Sequence, residues 1–81
     1  MKVRVKLFAV AKELAGRDVL ELNVSEGATV AEVRLALENA CPALQRVLPH
    51  AVWAVDAQYA GDDVVLSQQS EVALIPPVSG G

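Results

Sequence analysis

The chain opens on strict alternation: between Lys2 and Leu7, Val3, Val5 and Leu7 fall on one face and Lys2, Arg4 and Lys6 on the other. A period of two is that of an extended segment with one buried face, so the pattern predicts a half-buried strand. The following "AVAKELAG", Ala9 to Gly16, switches to helix formers and stops at a glycine, the residue best able to turn left-handed after a helix. One or two helical turns fit there. "DVLELNV", Asp18 to Val24, alternates again with Leu20, Leu22 and Val24 inward. The short connection predicts an antiparallel neighbour of the first strand.

Thr29 and Glu32 have the spacing of a capping box, in which hydroxyl and carboxylate each accept from the other residue's amide. Beyond them Val30, Val33, Leu37 and Ala40 recur along one helical face, predicting the main helix, which ends before Pro42. The stretch from Pro42 to His50 holds room for a further short turn, and Val52 to Asp56 reads as a third strand. A polar connection from Asp62 to Ser70 follows, with a brief strand or turn around Val64 to Leu66. "EVALIPP", Glu71 to Pro77, is a last strand that stops where consecutive prolines remove amide donors.

Strand, helical turn, strand, long helix, strand, loop, strand is the order of an α+β roll: one mixed sheet packed on one main amphipathic helix. The first strand fits a central place with the last strand beside it. The expected division is a folded domain over residues 1–75 and an extended tail over 76–81. At 81 residues there is room for a single core, since a chain of this size buries only about 60 to 65% of its unfolded surface. A hydrophobic content of 53% against 21% charged residues excludes a disordered chain and leaves apolar surface for a partner.

The single Cys41 excludes an internal disulfide framework, and no run resembles a signal peptide or a membrane span, so a cytoplasmic protein without a membrane partner is expected. Net charge is −3, yet every Lys and Arg lies at or before Arg46, while Asp56, Asp62, Asp63 and Glu71 follow unaccompanied. Phosphate binding needs clustered cations, and Lys2, Arg4 and Lys6 on one strand are the only candidates, which argues against nucleic acid. The acidic half reads either as a solvated surface or as one suited to a basic protein partner.

Catalytic residues are scarce. His50 is the only histidine, and neither a glycine-rich phosphate loop nor a metal-ligand spacing is present, so no metal is expected. Cys41 reads as a packing residue and His50 as a solvated loop residue. Asp62 and Asp63 are adjacent and point to opposite sides of an extended chain, which makes a poor acid–base pair. Trp53 and Tyr59 read as core or interface anchors.

The ending "PPVSGG" remains: Pro76, Pro77, Val78, Ser79, Gly80 and Gly81. Extended, six residues reach roughly 20 Å, enough to enter a tunnel in another protein. The prolines stiffen its base, and the glycines fit where a wider chain would not. The carboxylate of Gly81 is inert towards acyl transfer until an ATP-using enzyme adenylates it. The acyl carbon is then electrophilic, and glycine places no side chain in the way of a nucleophile.

"VRVKLFA", "ELAG", "VAEVRLAL", "VWAVDAQY" and "EVALIPPVSGG" together resemble the small subunit of molybdopterin synthase, over essentially the whole chain. The resemblance implies a ubiquitin-like β-grasp fold and a sulfur carrier in molybdenum cofactor synthesis. Gly81 is then adenylated by a ubiquitin-activating-like enzyme using ATP and converted to a thiocarboxylate, with Gly80 as its flexible neighbour. Pro76, Pro77, Val78 and Ser79 thread the large subunit, where sulfur passes to a cyclic pyranopterin monophosphate. No cofactor is held permanently, and catalytic side chains belong to the large subunit of a heterotetramer. Phe8, Leu66 and Leu74 are candidates for apolar contacts flanking the tail or for core. Asp56, where relatives often have Asn, and Gln69 and Ser70, where they present Gly-Asp, depart from the pattern. A sulfur carrier for thiamine thiazole synthesis and a ubiquitin-like modifier, whose Gly81 forms an isopeptide bond, are the alternatives.

Overall fold

A computed structural model describes residues 1–77. The elements run β1 (Lys2–Leu7), α1 (Ala9–Ala15), β2 (Val19–Asn23), α2 (Val30–Ala40), two 3₁₀ turns (Pro42–Leu44 and Leu48–His50), β3 (Val52–Val55), β4 (Gln58–Ala60) and β5 (Val72–Ile75). The five strands form one sheet in the order β2-β1-β5-β3-β4. β1 pairs antiparallel with β2, Val5 opposite Leu20, and parallel with β5, Leu7 opposite Leu74. β3 lies antiparallel to both β5 and β4. The first and last strands are thus neighbours inside the sheet, as expected for the roll.

β1 realises its period of two: Val3, Val5 and Leu7 are buried while Lys2, Arg4 and Lys6 are exposed. The buried row meets Leu22 of β2, Val72 and Leu74 of β5 and Trp53 of β3, and α2 covers it with Val33 and Leu37. The helix starts on the expected capping box: the Thr29 hydroxyl accepts from the Glu32 amide and the Glu32 carboxylate accepts from the Thr29 amide, both at 3.4 Å. Its buried positions are Val30, Val33 and Leu37. Ala40, expected on that face, is exposed instead. The face continues four residues on from Leu37 rather than three, so the half-buried Cys41, at the helix C-cap, packs on the core in its place.

α1 ends as its sequence predicts, on Gly16 at φ 74, whose amide donates to the Lys12 carbonyl at 2.9 Å. The region 42–50 holds two 3₁₀ turns rather than one, each with proline in its first turn. β4 is absent from the sequence reading. It follows β3 through a two-residue turn, Asp56 at φ 51 and Ala57 at φ 67, the doubly left-handed geometry of a tight hairpin. That geometry ordinarily carries glycine at its second position, and Ala57 hides it.

The connection after β4 lies along the start of α2. The Val64 and Asp62 carbonyls accept from the Val30 and Ala31 amides at 3.0 and 3.1 Å, two donors that a helix start leaves unpaired. The strand or turn expected near Val64 to Leu66 is a single bridge, Thr29 with Val65.

Candidate functional site

β5 determines where the C-terminal tail leaves. It is hydrogen-bonded on both edges, to β1 and β3, so its C-terminal end is held from two sides. Pro76, which has no amide hydrogen, follows Ile75 and ends the ladder. Pro76 is buried and Pro77 exposed, so the first proline is seated in the body of the domain. The remaining tail positions, Val78, Ser79, Gly80 and Gly81, lie outside the described residues.

Around this exit the sheet presents its outer face, the one turned away from α2. On it Ile75 sits opposite Val52, Ala73 opposite Ala54, and Ala54 opposite Tyr59. Val52 and Ile75 are 45% and 37% exposed, and Tyr59 on the edge strand is 82% exposed. Phe8, still extended at φ −125 just beyond Leu7, is 46% exposed. These side chains make an apolar surface on the outer face, with Ile75 immediately before Pro76.

Of the three apolar candidates named from the sequence, only Phe8 is at the surface. Leu66 and Leu74 are 3% and 0% exposed and belong to the core. Leu74 faces inward because it pairs with the inward Leu7 and Trp53. The available residues are its neighbour Ile75 and Val52, which sequence reading missed, and Tyr59, already read as a core or interface anchor. Alternation within β5, once its register with β1 is fixed, is the signal that separates them.

The departures at Asp56, Gln69 and Ser70 have local roles. The Asp56 carboxylate accepts from the Glu71 amide at 2.9 Å while its own amide donates to the Glu71 carbonyl at 2.8 Å. This pair of hydrogen bonds ties the β3–β4 turn to the start of β5. The Ser70 hydroxyl accepts from the Ser67 amide at 3.0 Å, and the Gln69 amide donates to the Ser67 hydroxyl at 3.2 Å. Self-bonded hydroxyls close the turn here.

Asp62 is engaged rather than free. The Arg34 guanidinium donates to both its oxygens at 2.5 and 2.9 Å, holding the carboxyl below the usual carboxylate range and raising the guanidinium in turn. His50 is exposed at the end of its 3₁₀ turn. Trp53 is core, and its indole Nε1 has no hydrogen-bond partner among the described residues. No three His, Cys, Asp or Glu side chains among those residues converge on a metal-sized site, and no helix is long and apolar enough to cross a membrane.

A five-stranded mixed sheet in this order, with one long helix laid across it and a C-terminal strand at its centre, is a ubiquitin-like β-grasp domain. A crystal structure of small archaeal modifier protein 1 from Haloferax volcanii superposes with a TM-score of 0.86 at 32% identity, over 95% of this chain and 98% of that one. A molybdopterin converting factor subunit 1 described for Pyrococcus furiosus gives 0.85 at 28% identity, over 96% and 99%. The chain belongs to the ThiS family, whose model matches residues 5–81. The molybdopterin synthase sulfur carrier subunit of Arabidopsis thaliana is 35% identical over 81 residues, all of this chain and 84% of that protein.

Proposed function

We propose that this chain is the sulfur-carrying small subunit of a molybdopterin synthase, working in the cytoplasm. The observation that carries the reading is similarity along its whole length to proteins named molybdopterin synthase sulfur carrier subunit, at 34 to 35% identity. The tail chemistry and the exit geometry agree with it. Gly81 is the reacting residue. ATP adenylates its carboxylate with loss of pyrophosphate, and a sulfur nucleophile displaces AMP to leave a thiocarboxylate. Gly80, Ser79, Val78, Pro77 and Pro76 carry that group into the large subunit of a heterotetramer, where sulfur is given to a cyclic pyranopterin monophosphate. The acids and bases for that step belong to the large subunit, which accounts for the scarcity of converging titratable groups in this domain.

The test is intact-mass analysis of the protein after incubation with its activating enzyme, ATP and a sulfur donor. One terminal oxygen replaced by sulfur, mapped to Gly81, is expected. Deletion of Gly80 and Gly81 is expected to abolish molybdopterin formation while the domain still folds. Molybdopterin formed at the normal rate by the truncated protein overturns the reading.

A second reading has its own support: the similarity to small archaeal modifier protein 1. As a modifier, the activated Gly81 acylates a lysine amine and forms an isopeptide bond. Gly81-linked adducts on other proteins in a cell extract, with no thiocarboxylate fraction, would favour it over the carrier.

A further inference from the structure

The two edges of the sheet are unequal: β4, three residues long, closes one, and β2, five residues long, closes the other. The ladder between β1 and β2 fixes which β2 groups are paired. Met1 and Val24 exchange bonds in both directions, at 2.6 and 2.9 Å, and the Leu7 amide donates to the Asp18 carbonyl at 2.8 Å. Bonded and unbonded pairs alternate in an antiparallel ladder, so Val3 with Leu22 and Val5 with Leu20 are the bonded pairs in between. Val19, Glu21 and Asn23 therefore aim their amides and carbonyls away from β1. Those groups bond to nothing else among the described residues.

Such an edge is a template for another strand, and proteins blunt it with proline, a bulge or charged side chains. β2 has no proline and pairs with β1 without a bulge, and its one charged residue, Glu21, lies 3.9 Å from Arg4. The β4 edge offers less. Its two-residue turn makes Val55 with Gln58 and Trp53 with Ala60 the bonded pairs, which leaves Tyr59 alone facing outward. The helix flank above β2 is also low. Arg34 reaches Asp62, beyond β4, so Ala36, about 200° further round the helix, lies on the flank towards β2. Its short side chain leaves room there.

We propose that a second copy of this chain covers the β2 edge, strand antiparallel to strand about a two-fold axis at Glu21, so that the two sheets become one. The edge is self-complementary in that register. Val19 faces Asn23 of the second copy and Glu21 faces its own counterpart, so every outward amide and carbonyl finds a partner. On the helix side the half-buried Leu20 meets Leu22 of the second copy. On the outer face the charges across the seam run Arg4, Glu21, Glu21, Arg4, each glutamate beside the arginine of its own copy. The pairing is isologous, so it closes as a dimer and uses up both β2 edges. The apolar half of the outer face, Val52, Tyr59 and Ile75 on β3, β4 and β5, lies away from the seam, and Pro76 stays clear of it in both copies. The dimer therefore stands independently of the carrier reading and leaves the tail exits open.

A seam of one short strand from each copy is small, so the dimer belongs to the weak, concentration-dependent class, and sedimentation equilibrium of the full chain from about 10 µM to about 2 mM measures it. Amide hydrogen exchange at the two ends of that range locates the contact. The mass is expected to rise towards twice that of one chain. The Val19, Glu21 and Asn23 amides should exchange about tenfold more slowly in the concentrated sample, with the Tyr59 amide unchanged. Glu21→Pro and Val19→Pro each remove an outward donor and no bond to β1, so each should weaken the dimer by about tenfold or more. Trp53 emission checks that they fold, and Val19, the first residue of its strand, is the position where proline is best tolerated. Glu21→Gln removes the like-charged pair at the axis and should tighten the dimer by about two- to fivefold. A chain that stays monomeric across the whole range overturns the assignment. So does a dimer that slows exchange at Tyr59 in place of the three β2 amides, which puts the contact on the other edge, or one that slows neither, which puts it on a face.

Discussion

Leu74 and Ile75 are consecutive, apolar and nearly equal in volume, yet they do different work. Leu74 points inward against Leu7 and Trp53 and is 0% exposed, whereas Ile75 points outward beside Val52 and is 37% exposed. The same contrast runs along β1, where the valines and Leu7 hold the sheet to α2 and the cations face water. One face specifies the fold and the other is free to meet a partner. The central place of β5 joins them, because the strand that completes the core also carries the tail. A partner gripping the outer face therefore lies beside the point where Pro76 follows β5.

The contrast breaks most sharply in the core. Leu74→Ala removes a fully buried side chain at the centre of the sheet and should cost about 2–5 kcal/mol of stability. Unfolding in urea, followed by the fluorescence of Trp53, the only tryptophan, measures it. Ile75→Ala one residue on should cost about 1 kcal/mol or less. Equal losses from the two substitutions would show that the outer face is part of the folding core.

Ile75→Asp inverts the test. It places a carboxylate in the apolar half of the outer face and should weaken binding of the large subunit by about tenfold or more, with little change in thermal stability. Titration calorimetry on folded variant and wild type checks this. Unchanged affinity would show that the large subunit does not contact Ile75.

Most of the fold was legible because β1, β2 and α2 each carry a clear period, the helix has its capping box and a proline pair ends β5. The legibility failed where local chemistry contradicted local geometry. Ala57 occupies a turn position made for glycine, so nothing in "VDAQY" announced a hairpin or the strand after it. The stretch from Pro76 to Gly81 stands out in the sequence for a different reason: a glycine pair two residues after a proline pair has few structural uses. The outward place of Ile75 was not legible, because inward and outward residues of β5 differ only by a register that β1 and β3 impose. Leu66 is a similar case, an apolar residue in a polar loop that folds back into the core.

Ala57 itself offers a gain in stability. A non-glycine residue in the left-handed region costs about 1–2 kcal/mol. Glycine relieves this but increases the freedom of the unfolded chain, an offset of about 0.4–1 kcal/mol. Ala57→Gly should therefore stabilise the domain by roughly 0.5–1 kcal/mol, raising the melting temperature by a few degrees. Since the turn lies away from Ile75 and Val52, large-subunit affinity should be unchanged. A lower melting temperature would mean that the Ala57 side chain makes contacts worth more than its strain.

The smallest effect belongs to the clasp between Arg34 and Asp62, which holds the loop after β4 against α2 on the side of the sheet opposite its outer face. Asp62 is lowered mainly by the hydrogen bond from Arg34, and more weakly by its charge. A carboxyl whose folded value lies below its unfolded one contributes stability that is fully present above the unfolded value, about 3.9, and lost as pH falls through the folded one. Arg34 is raised and stays charged throughout that range, so it adds no second transition. Asp62→Asn should lower the melting temperature slightly at pH 7, and the gap to wild type should close as pH falls through the lowered folded value of Asp62. The Asp62 side chain is 62% exposed, so 500 mM salt should narrow the gap as well. A gap that persists at low pH and high salt would assign the loop's attachment to the backbone bonds from Val30 and Ala31, with the ion pair a bystander.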